Sequence, residues 1–523
     1  MVVEILNLLI SGQVGLLTAS TQGEPHRRLR RANFAAARPV ARRPGFDPAE
    51  LERGILHLGC GAFHRAHQAV ATQRAVEAEG RAGRRWGVAA VSMTRSTVPD
   101  QLRPQDGLYT ALQRSEAGTK AEIIGTLREV VHAPSDPLGL PRRVSDPQTR
   151  IVTLTVTPPG YLLEPATGRL QAGHRDVVYD LRHPERPRSA IGALAHGLKL
   201  VRDAGQMPPV VISCDNISEN GPTLRMAVVN FAALSDDRLA SWIMNNVQFP
   251  ATMVDRIVPA TSSEDRADAE RMLGLRDAAP VSMEPFLQWV IQNFDGPRPL
   301  WEAGGAQFVN DVAPYELAKL RLLNGTHMLL AYIGGLAGFR TIAEAMADPL
   351  LAACAETFML HEQGATLQMT AANLHRYVVS LMQRLRNPAI RHDVGRIGRN
   401  GSVKMATRLI QPLRENLVAN RDCPCTLLAV AAWIRWFALR EPRGTHVHPV
   451  DPLKDELMAL CDEMQDDPRR LARAFLSKRN IFGNELPHYD DVEEALARAL
   501  HDLQTKPVRD VLRSRLRQSH MLH

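Results

Sequence analysis

The sequence predicts an α/β domain with a mainly parallel sheet, followed by an all-α domain. Three observations carry this expectation. Short apolar runs of strand length alternate with helix-compatible stretches between residues 54 and 234, the order of βαβ units. Those runs are apolar throughout, as strands covered on both faces are. From about Pro314 onward only helical stretches follow.

The elements can be justified in order. The first ~45 residues look appended. An apolar start, Val2–Thr18, lacks a positively charged leader and is too short and polar to span a membrane. An arginine-rich stretch with Pro39 and Pro44 follows, and residues 1–45 are expected to be a disordered extension. Gly54-Ile55-Leu56-His57-Leu58 is the first strand, Gly59-Cys60-Gly61 a glycine turn, and Ala62–Glu79 a helix. WGVAAVSM (86–93), IVTLTVT (151–157) and VVISC (210–214) read as further strands, with helices at 189–204 and 223–234. In the second half, 315–336, 350–364, 374–385, 403–416, 426–439 and 492–503 suit helices. This divides the chain into an extension (1–45), an α/β domain (46–312) and a helical domain (313–523).

Composition narrows the function classes. The chain has 523 residues, 45% hydrophobic and 23% charged, an ordinary globular balance. Six cysteines make no disulfide scaffold, and Cys423-Pro424-Cys425 lacks metal or redox spacing, so reduced thiols and a cytoplasmic location are expected. The net charge is +7, but 56 of the 63 basic residues are arginines scattered along the chain. No basic helix and no interleaved aromatics accompany them, which argues against nucleic acid. No stretch has the roughly 20 uninterrupted apolar residues of a membrane span.

Two motifs carry chemistry. Gly59 and Gly61, between strand and helix, allow a tight turn and a close approach of a pyrophosphate to the helix start, where Ala62 and Phe63 follow. The third glycine of the usual fingerprint is absent, and no acid follows the second strand. Arg95 stands there instead, either facing a 2′-phosphate or solvated, so these residues leave the choice between NAD and NADP open. His64 and His67 lie three apart without further ligands nearby and read as packing or capping residues; no metal is expected.

The second motif is Pro314–His327 (PYELAKLRLLNGTH). Lys319 can act as a general base if its surroundings lower its pKa. Asn324 and His327, three apart, share a helix face and can hold an oxygen gaining negative charge. At 100° per residue of an α-helix they fall about 140° and 80° from Lys319. The alternative is a surface lysine before a helix-terminating Asn-Gly.

With these residues in view the chain resembles the mannitol dehydrogenase family, the polyol-specific long-chain dehydrogenases. The matches are ILHLGCGAFHRAHQA (55–69), QDGLYT (105–110), SCDNISENG (213–221), FPATMVDRIVPAT (249–261), EPFLQWVI (284–291) and PYELAKLRLLNGTH (314–327). The resemblance implies a Rossmann-type domain, a helical domain, a cleft between them, and zinc-independent, nicotinamide-dependent oxidation of a secondary alcohol. It makes Lys319 the acid/base, gives Asn324 and His327 the reacting oxygen, and places Asn216 and Asp255 near nicotinamide and substrate. Arg396 and Lys404 match the segment that supplies cations to the substrate, although Asn400 stands where the family commonly has Asp. It further implies a monomer or small homo-oligomer acting on a small sugar acid or polyol.

One departure stands out. The family's glutamate after the third predicted strand is replaced in Thr157-Pro158-Pro159-Gly160-Tyr161, leaving Glu316 as the nearby carboxylate and putting proton traffic in question. Within the family, VSMTRS, KLRLLNGTH and GSVKMATRLIQPLR lean towards fructuronate reductase (D-mannonate oxidoreductase). Arg396, Lys404 and Arg408 would serve a carboxylate. The alternatives are a mannitol 2-dehydrogenase or related polyol enzyme, and a dinucleotide-binding member that has lost turnover.

Overall fold

The structure, a computed structural model, describes residues 27–136, 138–164, 167–439, 449–464 and 466–518. Its strands are β1 Ala41–Arg42, β2 Ile55–Leu58, β3 Val88–Ser92, β4 Tyr109–Ser115, β5 Gly118–Ile124, β6 Leu127–His132, β7 Ile151–Leu154, β8 Val210–Ser213, β9 Thr252–Asp255, β10 Val281–Met283, β11 Gln288–Gln292 and β12 Ala306–Val309. The central sheet runs β6-β3-β2-β7-β8 with every neighbouring pair parallel. This is the Rossmann order, which reverses between β2 and β7 and opens a crevice at their carboxyl ends.

The two-residue period of the strands sends side chains to both faces. Ile55, Val88, Ala90, Ile151 and Ile212 join the core under helix Gln68–Glu79. Leu56, Leu58, Val91, Val152 and Val211 join the core under helices Ala190–Asp203 and Asn220–Ala233. Each fully buried aliphatic side chain contributes about 1.5–3 kcal/mol. Double-sided burial is why these four strands read as apolar runs.

Two other sheets flank this one. The order β1-β5-β4-β10 includes the antiparallel β4–β5 hairpin, and β12-β11-β9 carries Asp255 at the end of β9. Neither sheet follows from the sequence patterns above. The helix expected over 62–79 is two helices, Ala62–Ala66 and Gln68–Glu79, broken at His67. His67 Nε2 lies 3.0 Å from the Gln288 carbonyl oxygen, and the His64 ring stacks on His57 at 3.4 Å between centroids. Both histidines are buried packing groups.

Residues 27–45 correct the expectation of a disordered extension. Leu29 is fully buried and its N–H donates to the Arg276 carbonyl at 2.9 Å. Ala41 and Arg42 pair with Ala121 and Glu122 of β5. The arginines that make this segment look solvated are matched: Arg42 pairs with Glu77 and Glu122, and Arg38 donates to the Arg271 carbonyl. Residues 1–26, with the apolar start, lie outside the described residues.

After β12 no further strand occurs among the described residues. Helices pack around Leu329, Trp433, Trp436, Phe475, Leu496 and Leu500. Wide π turns interrupt three of them, at Lys319–Gly325, Phe358–Gln363 and Ala406–Ile410. No described helix is long and apolar enough to cross a membrane. All six cysteines are buried and unpaired.

Candidate active site

A cleft of about 700 Å³ lies at the carboxyl ends of β2 and β7, where the sheet order reverses. Gly61, Ala62, Phe63 and Thr155 line it from the Rossmann side. Lys319, Asn324 and His327 line it from the helical side, Asn216 and Asp255 lie between, and Arg391 and Arg396 stand at the rim.

The two glycines of the turn have different causes. Gly59 has φ +105°, and a Cβ there would lie 2.1 Å from the Thr155 carbonyl oxygen, so the protein itself demands glycine. Gly61 meets no such obstacle: the nearest atom to its Cβ would be 3.8 Å away. Open space lies over the first turn of Ala62–Ala66, which no side chain caps. Free N–H groups beside a cradle that a Cβ would invade suit a dinucleotide pyrophosphate. A second cavity of about 590 Å³ at the ends of β3 and β6 holds Thr94, Arg186 and Arg188, where the adenosine end lies in this fold. Of its acids, Asp136 is held by Arg143 and Asp176 faces Arg175. Arg95 is exposed just beyond β3 and lines neither cavity.

Lys319 sits in the first π turn. Hydrogen bonding there runs from i to i+5, so the turn is wider and residues five apart come round to the same side. This brings Asn324 and Lys319 to one cleft and corrects the 140° separation that ordinary helical geometry gives. Lys319 Nζ donates to Asn216 Oδ1 and to the Val254 carbonyl oxygen, both at 2.6 Å. A neutral amine has two N–H donors and one lone pair. With both donors engaged, the lone pair is left for a substrate hydroxyl. Burial is the largest influence on this group and lowers its pKa; Asp255 opposes, while Arg408 and Arg384 add to the lowering.

His327 is buried, and its Nε2 has no hydrogen-bond partner. Burial first, then His392 and the cations Arg384, Arg408 and Lys319, hold its pKa well below the ordinary value. It is therefore a neutral imidazole with an unsatisfied nitrogen at the cleft, an arrangement that calls for a ligand. Its ring packs edge-on against His392 at 4.6 Å.

Asp255 is a buried ion-pair partner rather than a free carboxylate. Arg384 donates to its two oxygens at 2.8 and 3.0 Å, and to Glu284 at 2.8 and 2.9 Å. The guanidinium lies 3.8 Å over the Phe286 ring. Arg384, from helix Ala371–Arg386, thus ties the helical domain to two carboxylates of the other domain. Sequence reasoning missed it, although Glu284 opens the EPFLQWVI motif.

Asp215 of the SCDN motif accepts from the N–H groups of Val156 and Thr157 and from the Tyr161 hydroxyl. These bonds hold the Pro158–Tyr161 turn, with Thr157 at φ +68°, a conformation costly for a β-branched residue. Glu316 accepts from the Glu219 N–H at 3.3 Å. Lys404 does not line the cleft; its ammonium donates to the carbonyls of Ile397 (3.2 Å) and Arg399 (2.5 Å). Among the described residues no group of three or more His, Cys, Asp or Glu could hold a metal ion.

Two family models match the chain: the mannitol dehydrogenase Rossmann domain over residues 53–303 and the mannitol dehydrogenase C-terminal domain over 311–504. The chain belongs to the mannitol dehydrogenase family. Like the family's other members, it is an oxidoreductase acting on CH–OH groups. A D-mannonate oxidoreductase of Escherichia coli is 38% identical over 90% of this chain and 97% of its own. A mannitol 2-dehydrogenase of Aspergillus clavatus is 33% identical over 90% and 94%. The solved Pseudomonas fluorescens mannitol 2-dehydrogenase, a ternary complex with NAD and D-mannitol, superposes with a TM-score of 0.82 at 32% identity. That match covers 94% of this chain and 99% of the other.

Proposed function

We propose that this member of the family is an NAD-dependent oxidoreductase interconverting D-mannonate and D-fructuronate. The observation that carries the reading is the pair of arginines at the rim. The lining also holds Asp215, which is engaged by the Val156 and Thr157 N–H groups, and Asp393, which accepts the Arg396 N–H, but the guanidinium groups of Arg391 and Arg396 have no ion-pair partner among the described residues. Two such guanidiniums favour a sugar acid over a neutral polyol. The 38% identity to a D-mannonate oxidoreductase supports the same choice.

The residues divide the chemistry as follows. Gly59 and Gly61 shape the turn, and the N–H groups at Ala62 and Phe63 hold the pyrophosphate. A nicotinamide held in this cleft would supply the hydride acceptor for oxidation of the alcohol and the hydride donor for reduction of the ketone. Lys319 Nζ takes the proton of the C5 hydroxyl through its free lone pair in oxidation. In reduction the ammonium gives it back to the carbonyl oxygen. Asn216 Oδ1 and the Val254 carbonyl aim that nitrogen. Asn324 and His327 donate hydrogen bonds to the same oxygen as its charge grows. Burial of Lys319 keeps bulk water from competing for the proton. The buried, unpaired thiols support a reducing, cytoplasmic setting.

The test is turnover of D-mannonate and D-mannitol side by side, followed by nicotinamide absorbance with NAD and with NADP. Preference for D-mannonate with NAD supports the reading. Preference for D-mannitol moves the protein to the mannitol 2-dehydrogenases.

A further inference from the structure

Two imidazoles line the cleft side by side, and the chemistry described so far occupies only one of them. His392 lies beside His327, with the rings edge-on and their centroids 4.6 Å apart. The buried rings of His57 and His67 engage protein partners through their nitrogens. The His392 ring makes no hydrogen bond or ion pair with any described residue, and the residue keeps some exposure on the cleft side.

The chain holds this ring in place. The His392 carbonyl accepts from the Ile342 N–H at 3.0 Å, and the Val394 N–H donates to the Arg340 carbonyl at 2.9 Å. Ile390 and Val394, on either side, are buried. A ring pinned by its backbone and packed against a second ring is preorganised for a polar contact. Burial, then Arg396 and Arg384, lowers its pKa to about 4, so at neutral pH it is uncharged. One ring nitrogen then donates and the other accepts, which suits a hydroxyl group.

The neighbours of His392 indicate which hydroxyl this is. His327 serves the oxygen on the reacting carbon, so the next imidazole meets an oxygen on an adjacent carbon. With bonds of about 1.5 Å, gauche oxygens on adjacent sugar carbons lie about 3 Å apart, a spacing that two neighbouring rings can serve together. The same segment carries Arg391 and Arg396 to the rim, the side on which a carboxylate would lie. On that side of C5 the adjacent carbon is C4. Resting on the hexuronate reading above, we infer that His392 is a specificity residue that hydrogen-bonds the C4 hydroxyl of D-mannonate while His327 holds the oxygen on C5. It selects sugar acids bearing a hydroxyl at that carbon and takes no part in proton or hydride transfer.

The experiment compares wild type, His392→Phe and His392→Gln as full chains on D-mannonate and on 4-deoxy-D-mannonate. NADH affinity is read by nicotinamide fluorescence. Wild-type kcat/KM is expected to be about 10- to 100-fold lower for the deoxy substrate, the size of a buried hydrogen-bonding group left unpaired. The phenylalanine variant should lose a similar factor on D-mannonate but less than about three-fold on the deoxy substrate, so that the two changes are coupled. The glutamine variant, which keeps a donor and an acceptor, recovers part of the loss, and NADH affinity stays within about two-fold throughout. Equal losses on both substrates in a variant that binds NADH would show that the ring only props His327, and would overturn the contact. So would a phenylalanine variant within two-fold of wild type on D-mannonate. If the phenylalanine variant fails to bind NADH, the glutamine variant decides: a loss confined to D-mannonate supports the contact, and a shared or absent loss overturns it. A wild type that turns over D-mannitol but not D-mannonate overturns the hexuronate reading and the C4 assignment with it. A wild type active on D-mannonate whose His392 variants ignore the C4 hydroxyl overturns the assignment alone.

Discussion

Replacing Arg384 by methionine removes the one side chain that answers two buried carboxylates. Asp255 and Glu284 are each almost fully buried, and Arg384 meets them through four hydrogen bonds of 2.8–3.0 Å. Breaking a buried ion pair from one side costs about 3–5 kcal/mol, because the remaining charge stays desolvated. Here two carboxylates are left, and protonation relieves one of them: burial already raises the pKa of Glu284, which Arg384 opposes. The expected loss is therefore about 3–5 kcal/mol at neutral pH, shrinking as pH falls towards the raised pKa of Glu284. The same change leaves Asp255 unanswered beside Lys319, which raises the lysine pKa and moves the alkaline rise of the oxidation rate upward. Urea denaturation at several pH values reads the first effect and kcat/KM against pH reads the second. The Asp255→Asn and Arg384→Met double-mutant cycle isolates the pair. A stability loss under about 1 kcal/mol with an unmoved pH profile would refute the reasoning.

Two more perturbations follow from the geometry. Gly59→Ala forces a Cβ to 2.1 Å from a backbone oxygen at a positive φ, so NADH affinity should fall at least ten-fold and stability by about 2 kcal/mol or more, read by fluorescence titration and denaturation. Stability should also decline from pH 7.5 to 5.5. Burial holds His57 and His67 at about 3 and His392 at about 4. Since these folded values lie below the unfolded one of about 6.5, the unfolded chain binds more protons and stability is lost as pH falls through 6.5, by about 1.4 kcal/mol for each histidine over that interval. Glu362, raised to about 7, has the opposite sign and offsets about 2 kcal/mol, while His64 and His327, also held well below the ordinary value by burial, add to the loss, so the net change is a loss of about 2 kcal/mol or more. A flat or rising stability over this range contradicts the burial of these imidazoles.

The sequence made legible what depends on double-sided burial. β2, β3, β7 and β8 announce themselves because every residue meets a core. β4, β5, β9 and β11 do not: they lie in small mixed sheets, and their sequences mix polar and apolar positions. The order in segment 27–45 is hidden from sequence because the carboxylates that match Arg42, those of Glu77 and Glu122, are distant along the chain. At the site, Lys319, Asn324 and His327 are legible as residue types, but their mutual geometry is not, since the ordinary helical repeat hides the π turn that brings Asn324 and Lys319 to the same cleft. Arg384 was invisible for a related reason. It sits on a helix of alternating cations and aliphatics, and only the two carboxylates across the domain boundary distinguish it from its solvated neighbours.

The acid/base role of Lys319 is tested most directly by kcat/KM for alcohol oxidation against pH in wild type and Lys319→Ala. The structure predicts that the wild-type rate rises with pH through a single ionisation below the ordinary lysine value of about 10.4, as the buried ammonium gives up its proton. The alanine variant should lose at least ~100-fold and with it that ionisation. A variant within ten-fold of wild type, or one that keeps the same pH dependence, would contradict the assignment of proton transfer to Lys319.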